Sequence, residues 1–167
     1  MKTAVVYHTA SGNTQKVAAA IAGALEPAVT AVPLSDAPPL DDCDLVFFGM
    51  PIEQFGAPKP ARAFLEQRCA GHRVALFVTH AAPEDAPELS PWLDNCRQAA
   101  AGTELVGLFN CQGQLAEPVR PAMLASGMPE LVGFAEMANV AAGQPDESRL
   151  AAAAEFARDT AGRCAKA

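Results

Sequence analysis

The sequence predicts an α/β fold in which helices cover both faces of a five-stranded parallel sheet. Five short apolar runs with β-type composition recur along the chain, and helical patterns separate most of them. Strands that alternate with helices pair in parallel, because each connection must cross over the sheet. The third run, 45–49, is continuously apolar, which is typical of a strand buried on both faces. We therefore expect a three-layer, doubly wound sheet.

Local patterns place the individual elements. The first strand leads into a polar loop at 9–14, and an alanine-rich helix follows to about residue 25. The second strand, 28–34, is expected at a sheet edge because Pro33 cannot donate a hydrogen bond to a ladder. The later strands are predicted at 45–49, 73–79 and 105–111, and the later helices at 60–69, 92–101 and 146–164. Ser90 is the expected N-cap of the 92–101 helix, with Pro91 at its first position.

The stretch between the fifth strand and the last helix has a weaker pattern. A short helix is expected at 118–124, whereas 128–142 is apolar without a clear period. No linker interrupts the 167 residues. One domain spanning 1–167 is predicted, and it is long enough to bury its own core.

Charge and cysteine content exclude several classes of protein. The net charge is −7, from 19 acidic and 12 basic residues, which argues against nucleic acid and anionic membranes as partners. The acidic balance also fits a merely solubilising surface. The five cysteines include no Cys-x-x-Cys pair, so disulfide and zinc frameworks are not expected. Without a signal-peptide pattern or an apolar run of about 18 residues, we expect a cytoplasmic protein.

The loop after the first strand is the most informative stretch for function. It consists of Thr9, Ala10, Ser11, Gly12, Asn13 and Thr14. Its hydroxyls, its amide and its backbone N–H groups lie where a helix begins, and a phosphate placed there would meet donors and the positive end of the helix dipole. The same residue types also cap helices, with Ser11 or Thr14 as N-cap and nothing bound. Both interpretations are open at this point.

This loop resembles the phosphate loop of flavodoxins, in which Thr/Ser residues and a Gly-Asn-Thr triplet hold the phosphate of FMN. Ala10 stands where many flavodoxins carry another hydroxyl. The resemblance covers nearly the whole chain and implies the flavodoxin-like strand order 2-1-3-4-5. In that order the loops after strands one and three flank the topological switch point, where α/β sheets bind ligands. Receiver domains share this topology but need a phosphoacceptor aspartate, and strand three here ends in Phe48-Gly49.

The resemblance also implies that the flavin ring lies between the loops that follow strands three and four. The residues it suggests there are Met50, Pro51, Phe55, Gly56, Thr79 and His80. In the family, aromatic side chains commonly sandwich the ring. Phe55 could instead pack within its loop, and His80 could be a surface histidine. Trp92 is expected only to anchor a helix, and Gly56 either permits a peptide flip toward the reduced flavin or forms a simple turn.

No acid, base or nucleophile is evident beside this site, so we predict no catalytic or metal-binding residues, and Cys111 is expected to be a core thiol. The resemblance implies an FMN-binding electron-transfer protein, a monomer that exchanges electrons with redox partner proteins through their basic docking surfaces. An FMN-dependent quinone or NAD(P)H oxidoreductase, with a pocket formed by 112–143, is one alternative. A flavodoxin-fold scaffold without bound flavin is the other.

Overall fold

Five strands form a single parallel sheet. They are β1 (Thr3–Tyr7), β2 (Ala31–Pro33), β3 (Leu45–Pro51), β4 (Arg73–His80) and β5 (Glu104–Gln112). The computed structural model describes residues 1–115, 117, 119–136 and 141–166, apart from the side chains of Glu130 and Phe134. Every neighbouring pair of strands is parallel, in the order β2-β1-β3-β4-β5. The predicted fold class and strand order are therefore confirmed.

Helices lie on both faces of this sheet. They are α1 (Asn13–Ala24), α2 (Lys59–Arg68), α3 (Leu89–Ala99), α4 (Val119–Ala125), α5 (Pro129–Glu136) and α6 (Glu147–Cys164), with a short 3₁₀ helix at Leu34–Asp36. Helices α1 and α6 cover one face, and α2 and α3 cover the other. No helix in the described part of the chain combines the length and the apolar character needed to cross a membrane.

The central strand β3 is buried on both faces, as its continuous apolar run predicts. Successive side chains of a strand point to opposite faces. Phe47 therefore packs edge-on against Phe156 of α6, with ring centroids 6.1 Å apart. Phe48 stacks on Phe64 of α2 at 4.9 Å. Both β3 rings are fully buried, so this strand joins the two halves of the core.

Several predicted element boundaries need correction. Strand β2 is shorter than the predicted 28–34, although Pro33 does lie on an edge strand. Strand β3 runs through Met50 and Pro51, which were expected in the following loop. Helix α3 begins at Leu89 after Glu88, so Ser90 is not its N-cap. Proline is tolerated within a first turn, since the N–H groups there have no partner inside the helix.

The segment between β5 and α6 contains two short helices. Helix α4 lies close to the expected 118–124 helix, and residue 118 itself is outside the described residues. The apolar stretch 128–142 contains α5, and its part at 137–140 is likewise outside the described residues. Helices α4 and α5 pack against each other. We refer to residues 119–136 as the α4–α5 hairpin.

Candidate functional site

A cavity of about 430 Å³ lies at the carboxyl edge of the sheet, where the loops after β1, β3, β4 and β5 meet. Its lining residues are Ala10, Ser11, Asn13, Pro51, Ile52, Glu53, Gln54, Phe55, Thr79, His80, Ala81, Ala82, Trp92, Gln114, Leu115, Val119, Met123 and Leu131. Open parallel sheets bind ligands at this edge, next to the point where the strand order reverses. The volume is within the range of cofactor sites.

The polar end of the cavity is the loop between β1 and α1. Gly12 is the N-cap of α1 in the left-handed conformation, with φ of 87°, and no side chain caps the helix. The alternative in which Ser11 or Thr14 caps the helix is therefore wrong. Instead, the Gly12 N–H donates to the Thr9 hydroxyl at 3.0 Å. The first N–H groups of α1 thus have no partner inside the helix, and Ser11 is exposed beside them.

Two other loop residues use their side chains to hold the loop in place. Thr14 is almost fully buried, and its hydroxyl lies 2.9 Å from the hydroxyl of Thr79 on β4. The Asn13 amide donates to the Gln114 carbonyl at 2.7 Å. A side chain on Gly113 would come within 2.6 Å of that amide, so glycine leaves room for the contact. The loop is therefore fastened to β4 and to the segment after β5.

A tight turn forms a second wall of the cavity. Glu53 and Gly56 exchange both backbone hydrogen bonds, at 2.9 and 3.1 Å, and the two residues between them have positive φ, 48° for Gln54 and 68° for Phe55. This is the pattern of a type I′ turn, which normally carries Asn or Gly. Two non-glycine residues there store strain, a feature that clusters at functional sites.

Side-chain contacts hold this turn against α3. Asn95 donates from Nδ2 to the Phe55 carbonyl at 2.9 Å. The Phe55 ring lies 5.2 Å from the Trp92 ring at an interplanar angle of 44°. Phe55 is 42% exposed, so this aromatic pair is accessible from the cavity rather than sealed in the core. Trp92, expected only to anchor its helix, is a wall of the site.

Of the other residues predicted beside the flavin ring, three line the cavity and two do not. Pro51, Thr79 and His80 line the cavity together with Phe55. Met50 instead points into the core beneath the sheet edge, fully buried. Gly56 borders a separate groove on the far side of the turn. Its N–H already donates to Glu53, and its φ is not among the positive ones.

His80 is a buried wall of the cavity and not a surface histidine, being only 4% exposed. Its Nδ1 lies 2.9 Å from the Ala82 carbonyl and its Nε2 lies 3.0 Å from the Asn110 amide oxygen. Burial lowers the pKa of His80, while these two hydrogen bonds partly oppose the effect. His80 is thus held with both ring nitrogens engaged.

The lowered pKa predicts how stability changes with pH. The unfolded chain, with an ordinary histidine pKa near 6.5, binds a proton that folded His80 resists, so the free energy of unfolding should fall as pH drops below about 6.5. His80→Gln should flatten this dependence between pH 7.5 and 5.5 in urea denaturation. His72→Gln, a half-buried histidine before β4, is the control. Equal slopes in both variants would contradict the prediction.

A polar network fixes the loop after β4. Glu84 accepts from the Gln112 N–H at 3.1 Å and from Arg149 Nε at 2.6 Å. Those hydrogen bonds outweigh desolvation and lower the pKa of Glu84, although desolvation is the largest single effect. Arg149 also bonds to the α6 N-cap Asp146. The loop is thereby joined to β5 and to the start of α6.

No lysine or arginine lines the cavity among the described residues. A bound anion there would be held by neutral donors and the helix terminus. Cys111 is a core residue, as expected, and burial raises the pKa of its thiol to about 12. The described residues contain no cluster of His, Cys, Asp or Glu that could hold a metal ion.

The segment after β5 forms a further wall of the cavity, as the oxidoreductase alternative supposed for 112–143, but the sequence did not indicate which of its residues line it. Gln114, Leu115 and three residues of the α4–α5 hairpin line the cavity. Their only signal was the apolar character of a segment without clear period. Two helices of seven and eight residues are too short to establish a helical period in the sequence.

Comparison with known proteins places this geometry in a family. The model of the flavodoxin domain family matches residues 4–158. The chain belongs to this family. No curated protein matches it in sequence.

Solved structures share the fold of this flavodoxin-family chain. A flavodoxin from the domain Archaea is 18% identical with a TM-score of 0.61, covering 98% of this chain and 99% of that one. Flavodoxin 2 from Bacillus cereus is 18% identical with a TM-score of 0.58, covering 98% and 99%. A flavoprotein in complex with FMN from Lactobacillus acidophilus is 17% identical with a TM-score of 0.52, covering 65% and 92%.

Proposed function

We propose that this chain binds FMN noncovalently and transfers electrons between redox partner proteins. The observation that carries the proposal is the loop at 9–14. Ser11 and the first residue of α1, Asn13, line a cavity whose other walls are mostly aromatic and apolar, and no side chain caps the helix there. A cavity with donors at one end and rings at the other matches a ligand with a phosphate and a planar ring system. The family and the FMN-bound neighbour support this choice.

The phosphate would lie at the start of α1. Ser11 and the backbone N–H groups from Asn13 onward would donate to it, and the helix dipole would favour its charge. Thr9 accepts from Gly12, so its hydroxyl hydrogen remains available for a further acceptor. Thr14 contributes by position, because its hydroxyl is engaged with Thr79.

The ring would lie against the other walls, and bound flavin would supply the electron-transfer chemistry. Phe55 and Trp92 offer accessible aromatic surface, and stacking on a planar ring favours such side chains. His80 and Thr79 line the floor of the cavity and are both buried. They exclude water there and present no charge while His80 is neutral.

The lining favours a carrier over a substrate-transforming enzyme. Among the described lining residues only Glu53 and His80 are titratable, and His80 has both ring nitrogens engaged. Exposed acidic residues follow β3 and β4, at Glu53, Asp85 and Glu88, whereas the nearby Glu84 is already paired with Arg149. They would steer a basic docking surface toward the site, since complementary potentials accelerate association.

The experiment is titration of the flavin-free protein with FMN and with riboflavin, followed by flavin fluorescence. FMN should bind more tightly, because riboflavin lacks the phosphate. Ser11→Ala should weaken FMN about tenfold, since a hydrogen bond to a charged group contributes about 1.5 kcal/mol or more, and leave riboflavin unchanged. Ser148→Ala, on the exposed side of α6, is the matched control. Equal affinity for FMN and riboflavin would overturn the phosphate assignment.

The carrier role has its own test. A carrier should be reduced only through a reductase partner, and that reduction should slow as ionic strength screens the acidic residues. Steady oxidation of NAD(P)H by the isolated holoprotein would instead show an FMN-dependent oxidoreductase. A folded protein that takes up no flavin would be a scaffold.

A further inference from the structure

The α4–α5 hairpin divides its apolar side chains between the cavity and solvent. Val119 and Met123 are four residues apart and therefore share one face of α4, and both line the cavity. Leu131 of α5 lines it as well. The neighbouring Leu124 does not line the cavity, although its exposed fraction of 43% is close to the 41% of Val119. One face of the hairpin therefore forms part of the cavity wall.

The hairpin is tied to the site at its base as well as through its apolar face. The Asn13 amide of the 9–14 loop donates to the Gln114 carbonyl just before α4. Gln114 in turn donates from its N–H to Gln144 at 3.1 Å and accepts at Oε1 from Gly143 at 3.1 Å. Both chain segments that lead to the hairpin therefore meet beside the 9–14 loop.

Within the hairpin, Arg120 links the two helices by donating from Nε to the Ala135 carbonyl at 3.1 Å. The arginine head is thereby turned onto α5. This leaves the cavity-facing side of α4 with a β-branched aliphatic side chain and a methionine. A methionine thioether packs well on aromatic systems and adapts to their outline.

The chemistry of this wall identifies the part of a ligand that it would contact. The donors that lie at a helix N-terminus and suit a phosphate are in the 9–14 loop, whereas the three hairpin residues that line the cavity offer only aliphatic and thioether groups. Such groups recognise an apolar planar ring and make poor partners for a phosphate or a sugar. The α4–α5 hairpin and the 9–14 loop therefore suit opposite ends of one ligand.

We propose that the α4–α5 hairpin is the ring-recognition element of the site, with Met123 and Val119 as positioning residues for the flavin ring. This inference rests on the proposed function, because it assigns one end of the same ligand. The 9–14 loop then sets the preference for FMN over riboflavin. The hairpin sets the affinity for the flavin ring, whether or not the ring carries a ribityl phosphate.

Two ligands separate these contributions, FMN and lumiflavin, which has the ring without the ribityl phosphate. Met123→Gln should weaken both about tenfold, because burying a side chain of this size is worth about one decade in affinity. Leu124→Gln, the same kind of change on the exposed face, should alter neither more than twofold. Val119→Thr, nearly isosteric and at an already exposed position, should weaken both ligands less than Met123→Gln does. Circular dichroism confirms that each variant is folded.

Each outcome has a distinct meaning. If wild-type protein binds FMN and Met123→Gln matches Leu124→Gln, the ring-recognition proposal is overturned while the proposed function stands. If Met123→Gln weakens FMN but leaves lumiflavin unchanged, the hairpin contacts the ribityl phosphate and the proposal is again wrong. If lumiflavin binds as tightly as FMN and Met123→Gln weakens both, the hairpin assignment holds and the phosphate assignment fails. If wild type binds neither ligand, both fail.

Discussion

Replacing Gly49 by alanine is expected to lower the free energy of unfolding by about 3 kcal/mol or more, because the core has no room for the added methyl group. A Cβ at this position would lie 1.9, 2.2 and 2.6 Å from three atoms of the Phe77 ring. Phe77 is fully buried on the adjacent strand, directly opposite Gly49 in register. The ring cannot swing into solvent, so β3 and β4 must shift apart.

Gly23→Ala is the matched control for this change. Gly23 lies in α1, where an added methyl group would have no other atom within 4 Å, and alanine is the better helix former by about 0.5–1 kcal/mol. Urea denaturation should therefore give a lower midpoint for Gly49→Ala and an unchanged or higher one for Gly23→Ala. A Gly49 variant as stable as wild type would show that Phe77 has an alternative position.

The sheet could be predicted because its signals are local and strong. The 45–49 run is apolar at every position, and only a strand with helices on both faces can bury all of it. Pro33 correctly indicated an edge strand for the chemical reason that it has no N–H. The helix boundaries have weaker local signals: Ser90 and Pro91 are typical of a helix start, yet both lie inside the first turn of α3.

The site could be predicted only where one segment carries the whole signal. The 9–14 loop contains its donors in sequence, so its chemistry can be inferred without the fold. Trp92 joins the site through its contact with Phe55, 37 positions earlier in the chain, and no local pattern encodes that pairing. The same holds for Met123, which reaches the cavity from beyond β5.

The turn at 53–56 illustrates a further limit. Gln54 and Phe55 both adopt positive φ, although neither residue type favours the left-handed region. The sequence suggested Gly56 as the conformationally special residue of this loop, whereas the unusual conformations belong to its two predecessors. Tertiary contacts, including the hydrogen bond from Asn95 to the Phe55 carbonyl, hold the turn against its local preference.

Removing one hydroxyl of the pair that joins the 9–14 loop to β4 is expected to give the second large loss in the free energy of unfolding. Thr14 and Thr79 are 1% and 2% exposed, and their hydroxyl oxygens lie 2.9 Å apart. Thr14→Val keeps the shape of the side chain but leaves the Thr79 hydroxyl without this partner inside the protein. An unsatisfied buried hydroxyl costs about 1–3 kcal/mol, so we expect a loss of about 2 kcal/mol in the free energy of unfolding.

Combining the two substitutions separates a hydrogen bond from a packing effect. Thr79→Val alone should cost a similar amount, whereas the double variant removes both hydroxyls and should cost less than the two single changes added together. Urea denaturation of the four proteins measures the coupling, which we expect to exceed about 1 kcal/mol. Strict additivity would mean that the two hydroxyls act independently. The Thr14→Val variant should also bind FMN more weakly, because the start of α1 is then no longer joined to β4 by this hydrogen bond. An unchanged affinity for FMN would show that the other contacts of the 9–14 loop are enough to hold it in position.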